Sequence, residues 1–264
     1  MRLLRRLFRT LAAVALWCIG LSIGWVLILA VLPPPVTSTM LVQRVEQGRA
    51  DRSWRALEAM ARTLPNAVIA AEDQKFMFHH GFDIEAIGKA LDHNERRKGR
   101  GRVKGASTIS QQVSKNVFLW QGRTWVRKGL EVWFTALIEL LWSKERILEV
   151  YLNIAELGPG TFGAEAAAQR CFGKSASRLG VQEAALLAAV LPAPRRYSCQ
   201  RPGGFVRSRQ QWIAHQMDNL GDQLDPAVLA RAREEQEREE QREQRREQRR
   251  EQRREERRRQ RKRT

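Results

Sequence analysis

A mainly α-helical domain behind a single N-terminal transmembrane helix is the fold this sequence predicts, and three observations carry the prediction. An uncharged run from Leu11 to Leu32, 22 residues long, follows Arg2, Arg5, Arg6 and Arg9. The segments after Pro65 repeat apolar residues at helical spacing. No run shows the sustained alternation of a half-buried strand.

The apolar run exceeds the roughly 20 residues a helix needs to cross a hydrocarbon core. A cleaved signal peptide is the rival reading, but its apolar part is about 7 to 15 residues and ends at a small-residue site, whereas here Val31-Leu32-Pro33-Pro34-Pro35 follows. The basic flank then predicts a cytoplasmic N terminus at residues 1–9, an anchor at 10–32, and everything after Pro33 outside. Residues 33–64 read as a juxtamembrane connector, with Met40 to Arg62 helical and Trp54, Leu57 and Met60 on one face.

The folded domain is expected at 65–222, a size one core can serve. Ala67 to Glu72 starts an apolar helix, and Phe82 to Asn94 places Ile84, Ile87 and Leu91 at helical spacing. Glu95 to Lys104 holds Val103 as its one apolar residue and reads as a loop. Ile109 to Trp120 and Thr124 to Trp142 are helical, and Ser143 caps the next helix, which holds Tyr151 and Asn153 and should end at Gly158-Pro159-Gly160. Val181 to Leu191 is an apolar helix stopped by Pro192. Trp120, Trp125, Trp133 and Trp142 are expected mainly in the core, with some facing lipid. Residues 223–264 form a charged Arg/Glu/Gln tail with no core of its own.

The net charge of +18 lies at the N terminus, in Arg96 to Lys104 and in the tail, which suits anionic partners or a solvated surface. Cys18 lies in the apolar run, and a disulfide is chemically permitted between Cys171 and Cys199, although spacing does not decide it. Neither these cysteines nor the histidines have the spacing of a zinc site, so no structural metal is predicted.

Two blocks carry chemistry. Glu72-Asp73 directly follows the apolar run Ala67 to Ala71, where a partly buried carboxylate acquires a raised pKa and can act as a general base; an acidic pair satisfied by helix-end groups or Lys75 is the alternative. Gly105 to Gln112 concentrates hydroxyls and amides: Ser107, Thr108, Gln111 and Gln112 suit sugar and phosphate contacts, or equally a helix cap and polar face. Lys115 and Arg123 could be ordinary solvated cations, and Glu131, four residues after Arg127 and three after Lys128, shares a helix face with both.

These blocks, with Arg127-Lys128-Gly129-Leu130-Glu131, Ser143 to Asn153 and Gly163 to Lys174, resemble in order the five motifs of the glycosyltransferase domain shared by monofunctional peptidoglycan transglycosylases and bifunctional penicillin-binding proteins. The resemblance runs from about Pro65 to Pro194. It implies a lysozyme-like fold, with 65–222 as the glycosyltransferase domain, and catalysis by Glu72 and Glu131. Asp73 would orient or tune the base, and Phe76, His79, Ser107, Thr108, Gln111, Gln112, Lys115, Arg123, Arg127, Lys128 and Asn153 would bind substrate. Ser110 stands where the family commonly has Thr and keeps the hydroxyl; Cys171 stands where it usually has an aromatic residue, which favours a small apolar packing role over a bridge.

The implied reaction is inverting polymerisation of lipid II into β-1,4-linked strands, releasing undecaprenyl diphosphate. The implied partners are lipid II, the growing glycan strand, the bacterial inner membrane, and cell-wall synthesis or division proteins including transpeptidases, with no nucleic acid. No cofactor is required, although pyrophosphate chemistry has room for a divalent cation, Mg or Mn. A transpeptidase half is not expected, because no S-x-x-K or K-T-G motif is present. Two rivals stand beside this reading: a lytic enzyme of similar fold, which would need no basic pyrophosphate site, and an anchored adaptor using its basic tail, which would tolerate loss of Glu72.

Overall fold

The computed structural model describes residues 2–96, 105–122 and 124–235, with 237, 238, 241, 242, 245 and 248. Most of the expected loop at 95–104, Arg123 and most of the tail lie outside these residues. The chain divides into two compact units, 1–220 and 221–264; in the second, residues 226–235 are helical.

Helix α1 (Arg2–Val31) contains the apolar run up to its last residue but one and is long and apolar enough to cross a membrane. Its Thr10 and Ser22 hydroxyls donate to the carbonyls of Arg6 (3.0 Å) and Ile19 (2.8 Å), so each polar side chain is satisfied within the helix. Its C-terminal carbonyls, orphaned as in any helix end, are taken by a side chain from far along the chain. The Arg146 guanidinium donates to Leu29 O (2.9 Å) and Leu32 O (2.7 Å). The Trp142 indole donates to Val26 O (2.9 Å) and the Trp133 indole to Ser22 Oγ (3.1 Å), which fixes α1 against the helices that follow.

The connector differs from expectation. Helix α2 (Ser38–Gln47), capped by Thr37, ends at Gly48 in the left-handed region (φ 69°). Strand β1 (Asp51–Arg52) follows, then a 3₁₀ turn at Leu57–Ala59, so Trp54, Leu57 and Met60 share no helix. Helix α7 (Lys144–Ile154) also stops before the expected Gly-Pro-Gly, because Glu156–Gly158 (β2) and Thr161–Phe162 (β3) turn back as an antiparallel pair. β1 adds to β3 in parallel, giving the order β1-β3-β2. These strands are too short for alternation to register in sequence.

The core is built on helix α9 (Val181–Val190), which after Gln182 and Glu183 in its first turn is apolar all round, and every residue from Ala184 to Val190 is buried. Helices α3 (Thr63–Glu72) and α10 (Gly204–Leu220) pack against it. Helices α4 (Ile84–Arg96), α5 (Ile109–Phe118), α6 (Trp125–Leu141) and α8 (Ala164–Phe172) complete the unit, with α6 packed on both α5 and α1.

Two expectations are corrected. Cys171 and Cys199 are disulfide-bonded, with Cα atoms 5.8 Å apart, so Cys171 is not simply a packing residue; the fold brings the end of α8 beside the segment leading into α10. Of the four tryptophans only Trp142 is buried, whereas Trp120, Trp125 and Trp133 are exposed, and the Trp133 indole reaches Ser22 of α1.

Candidate active site

Helix α3 delivers Glu72 at its C-terminal end and leaves Asp73 as its cap residue. Asp73 is buried, and both carboxylate oxygens accept from His79 Nε2, at 2.9 and 3.0 Å. His79 Nδ1 accepts from the Gly81 N–H (3.1 Å), so the ring hydrogen sits on Nε2. Asp73 Oδ2 also accepts the first amide of α5, Ile109 N–H, at 3.1 Å, where a helix N-terminus favours negative charge.

Gly81 closes this arrangement. Its φ is +84°, and a Cβ there would stand 2.7 Å from Thr135 Cγ2 and 2.9 Å from Glu139 Cγ. Its carbonyl accepts the Thr108 hydroxyl at 2.7 Å. Thr108 and Gln111 cap α5 reciprocally: Thr108 Oγ1 accepts Gln111 N–H (3.2 Å) and Gln111 Oε1 accepts Thr108 N–H (3.0 Å). The two blocks of the sequence are thus joined through Asp73 and Thr108.

Glu72 turns into a cleft. Its Oε2 accepts from Gln112 Nε2 (3.1 Å) and its Oε1 from Arg209 Nη2 (3.3 Å). Burial pushes the Glu72 carboxyl above the ordinary glutamate range; Gln112 and Arg209 oppose this, and the neighbouring Asp73 charge adds to it. Tyr151, fully inside, donates its hydroxyl to Gln112 Oε1 (3.3 Å), and burial pushes its phenol well above the usual value.

The cleft has two adjoining chambers. The first, of about 900 Å³, is lined by Glu72, Asp73, Ser107, Thr108, Gln112, Lys115 and Arg209 among others. The second, of about 560 Å³, shares Ser107, Gln112 and Lys115 and adds Gln111, Arg127, Lys128 and Glu131. Glu131 is 4 % exposed and paired as its spacing predicts, with Arg127 at 3.2 Å and Lys128 at 2.5 Å. Lys115 stands where the chambers meet. Burial pushes its ammonium down from the ordinary lysine value, with Arg127 and Lys128 acting the same way and Glu131 and Glu72 opposing. Among the described residues no hydrogen bond or ion pair engages it.

The structure therefore brings together Glu72, Asp73, Ser107, Thr108, Gln111, Gln112, Lys115, Arg127, Lys128 and Glu131. It does not bring Phe76, His79 or Asn153 to the cleft lining. Phe76 is wholly buried under the Lys144 ammonium (4.4 Å from the ring centre), and His79 is held by Asp73 and Gly81. Asn153 accepts Arg55 N–H (2.8 Å), donates to the carbonyls of Arg55 (2.8 Å) and Glu149 (2.7 Å), and is wholly buried, out of a ligand's reach. Gly163, at φ +82°, packs against it so closely that a Cβ would lie 2.8 Å from Asn153 O. Arg209 was not foreseen: it lies 137 residues from Glu72 in a segment with no local signal. Among the described residues no group of three or more His, Cys, Asp and Glu side chains could hold a metal ion.

The sequence profile of the transglycosylase family matches residues 38–218. A biosynthetic peptidoglycan transglycosylase of Xanthomonas axonopodis pv. citri is 55 % identical over 224 residues, covering 82 % of this chain and 90 % of the relative. Another of that name, from Pseudomonas aeruginosa, is 53 % identical over 225 residues, covering 83 % and 96 %.

Proposed function

The chain belongs to the transglycosylase family, and from that membership and the cleft we propose that it polymerises lipid II into β-1,4-linked glycan strands, releasing undecaprenyl diphosphate. The observation that carries the substrate class is Lys115, a half-buried cation without a hydrogen-bond or ion-pair partner among the described residues, between a base-competent carboxylate and a basic chamber. A lysozyme-like cleaving enzyme has no use for such a charge; a departing pyrophosphate does.

In the proposed step the Glu72 carboxylate takes the proton of the acceptor sugar's 4-hydroxyl as that oxygen bonds to the donor's anomeric carbon. The bond from that carbon to the pyrophosphate oxygen breaks on the opposite face, which inverts the centre, and the pyrophosphate leaves with the electron pair. Lys115, Arg127 and Lys128 receive its charge, while Glu131 holds the last two in place. The donor set of the second chamber suits a cofactor-free reaction: Glu131 is its one carboxylate and already faces two cations, so a Mg or Mn ion would have to be held chiefly by the substrate.

Helix α1 is consistent with a single-pass anchor, and we place the N terminus in the cytoplasm and the cleft on the outer face of the inner membrane. Exposed Trp125, and exposed Trp133 bonded to Ser22 of α1, suit a cleft held at the membrane surface, where the substrate's lipid tail remains embedded. With no transpeptidase motif in the sequence, crosslinking falls to partner transpeptidases.

The test is incubation of detergent-purified protein with labelled lipid II, comparing parent and Glu72→Gln by gel separation of the chains. Lysozyme-sensitive polymer from the parent alone is expected. Shortening of preformed strands without polymerisation would put the lytic activity in its place.

A further inference from the structure

Arg209 touches the base but takes no part in the step above, and its contacts define a role that rests on the proposed polymerase reading. One nitrogen, Nη2, donates both to Ala71 O (3.1 Å) and to Glu72 Oε1 (3.3 Å). Ala71 O is a backbone atom at the end of α3, so the guanidinium refers the mobile carboxylate to a fixed point on its own helix. Gln112 from α5 holds the other oxygen. The Nε of Arg209 is buried without a hydrogen-bond partner, and the side chain lines the first chamber.

We propose that Arg209 is a positioning residue for the general base: bridging Ala71 O and Glu72 Oε1, it holds the carboxylate in one rotamer and in its ionised form as the acceptor hydroxyl arrives. A glutamate free in a cleft of this size would sample several rotamers, and misplacement by about 1 Å can cost on the order of a hundredfold in rate. The charge matters as much as the geometry. The groups facing Glu72 are Arg209 from α10, Gln112 and Lys115 from α5, Tyr151 from α7 and the adjacent Asp73. Among the described residues Arg209 is the one cation at ion-pair distance. Removing it leaves the Gln112 hydrogen bond alone against burial and Asp73, which favour the protonated, inactive acid.

The experiment uses the full chain in detergent with lipid II, measuring kcat and KM across the pH range for the parent, Arg209→Gln and Arg209→Lys. In Arg209→Gln the acid limb of kcat/KM moves to higher pH by about one unit, the low end for loss of a neighbouring opposite charge. At neutral pH kcat falls about tenfold with KM within about twofold, since the contact is to the base and not to substrate. Lysine restores the limb because it restores the charge, but kcat stays below the parent because a shorter ammonium does not span both acceptors.

A purely structural strut between α10 and α3 would lower thermal stability and leave the limb where it was; that result overturns the proposal. If Arg209→Gln fails to fold, Arg209→Lys decides alone, and parental kcat with a parental limb overturns it. Failure of the underlying reading is distinguishable in the same assay: it shows as an inactive parent or an active Glu72→Gln, not as an unmoved limb.

Discussion

Replacing Asp73 by Asn keeps the shape of the side chain and removes the one feature its surroundings require, two acceptor oxygens. Ile109 N–H is a fixed backbone donor, His79 Nε2–H is a second donor, and His79 Nδ1 cannot take over the hydrogen because Gly81 N–H already points at it. An asparagine can accept from Ile109 only by turning its NH₂ toward His79. If the imidazole changes tautomer to accept that NH₂, its new N–H faces Gly81 N–H. Every arrangement leaves one donor against another.

The side chains of Asp73 and His79 are 3 % and 10 % exposed, so water does not relieve the mismatch. A hydrogen bond to a charged group contributes about 1.5–3 kcal/mol against about 0.5–1.5 for a neutral one, and a buried unsatisfied group costs about 1–3. Weakening one bond and breaking the other gives about 3 kcal/mol. For a unit of this size each kcal/mol lowers Tm by roughly 2–4 °C, so Asp73→Asn should melt about 6–12 °C below the parent in circular dichroism. A Tm within about 2 °C of the parent would refute the donor–acceptor reasoning. Below its melting point the variant's acid limb should move slightly to lower pH, because the charge of Asp73 raises the Glu72 pKa.

Three further outcomes are expected. Glu72→Gln, while abolishing polymerisation, should stabilise the protein at neutral pH: burial raises the folded-state pKa of Glu72 above its unfolded value, so ionising it opposes folding, and the parent loses ground to the variant as pH rises from the unfolded value through the folded one. Melting curves at about pH 4 and pH 8 test this, and a parent more stable than the variant at pH 8 would contradict it. Thr108→Ala removes both the cap on Gln111 N–H and the donor to Gly81 O, a loss of about 2 kcal/mol in denaturant unfolding that Thr108→Ser should largely restore. Opening the Cys171–Cys199 bridge, which closes a separation of 28 residues, should destabilise by about 3 kcal/mol, read as a drop in Tm for Cys171→Ser that added reductant reproduces in the parent.

Several features of this molecule are local, and for that reason were determined by the sequence alone. The long apolar helix α1 needs only an uncharged run longer than a bilayer core; the Ser143 cap needs one residue before a helix; and the Arg127–Glu131 pair follows from a four-residue spacing on α6. Glu72 beside Asp73 at the end of an apolar helix belongs to the same class. What only the tertiary structure decided are contacts between segments far apart, which leave no periodicity to read. Asp73 binds the first amide of α5 across 36 residues, Arg209 reaches Glu72 across 137, and β1 finds β3 across 110, from Asp51 to Thr161. The same holds for which tryptophans are exposed, and for Phe76, His79 and Asn153, whose side chains the fold turns inward to support the cleft rather than line it. A side chain's type is written in the sequence, but whether its polar atoms meet a ligand or another residue depends on what the completed fold brings within about 3 Å of them.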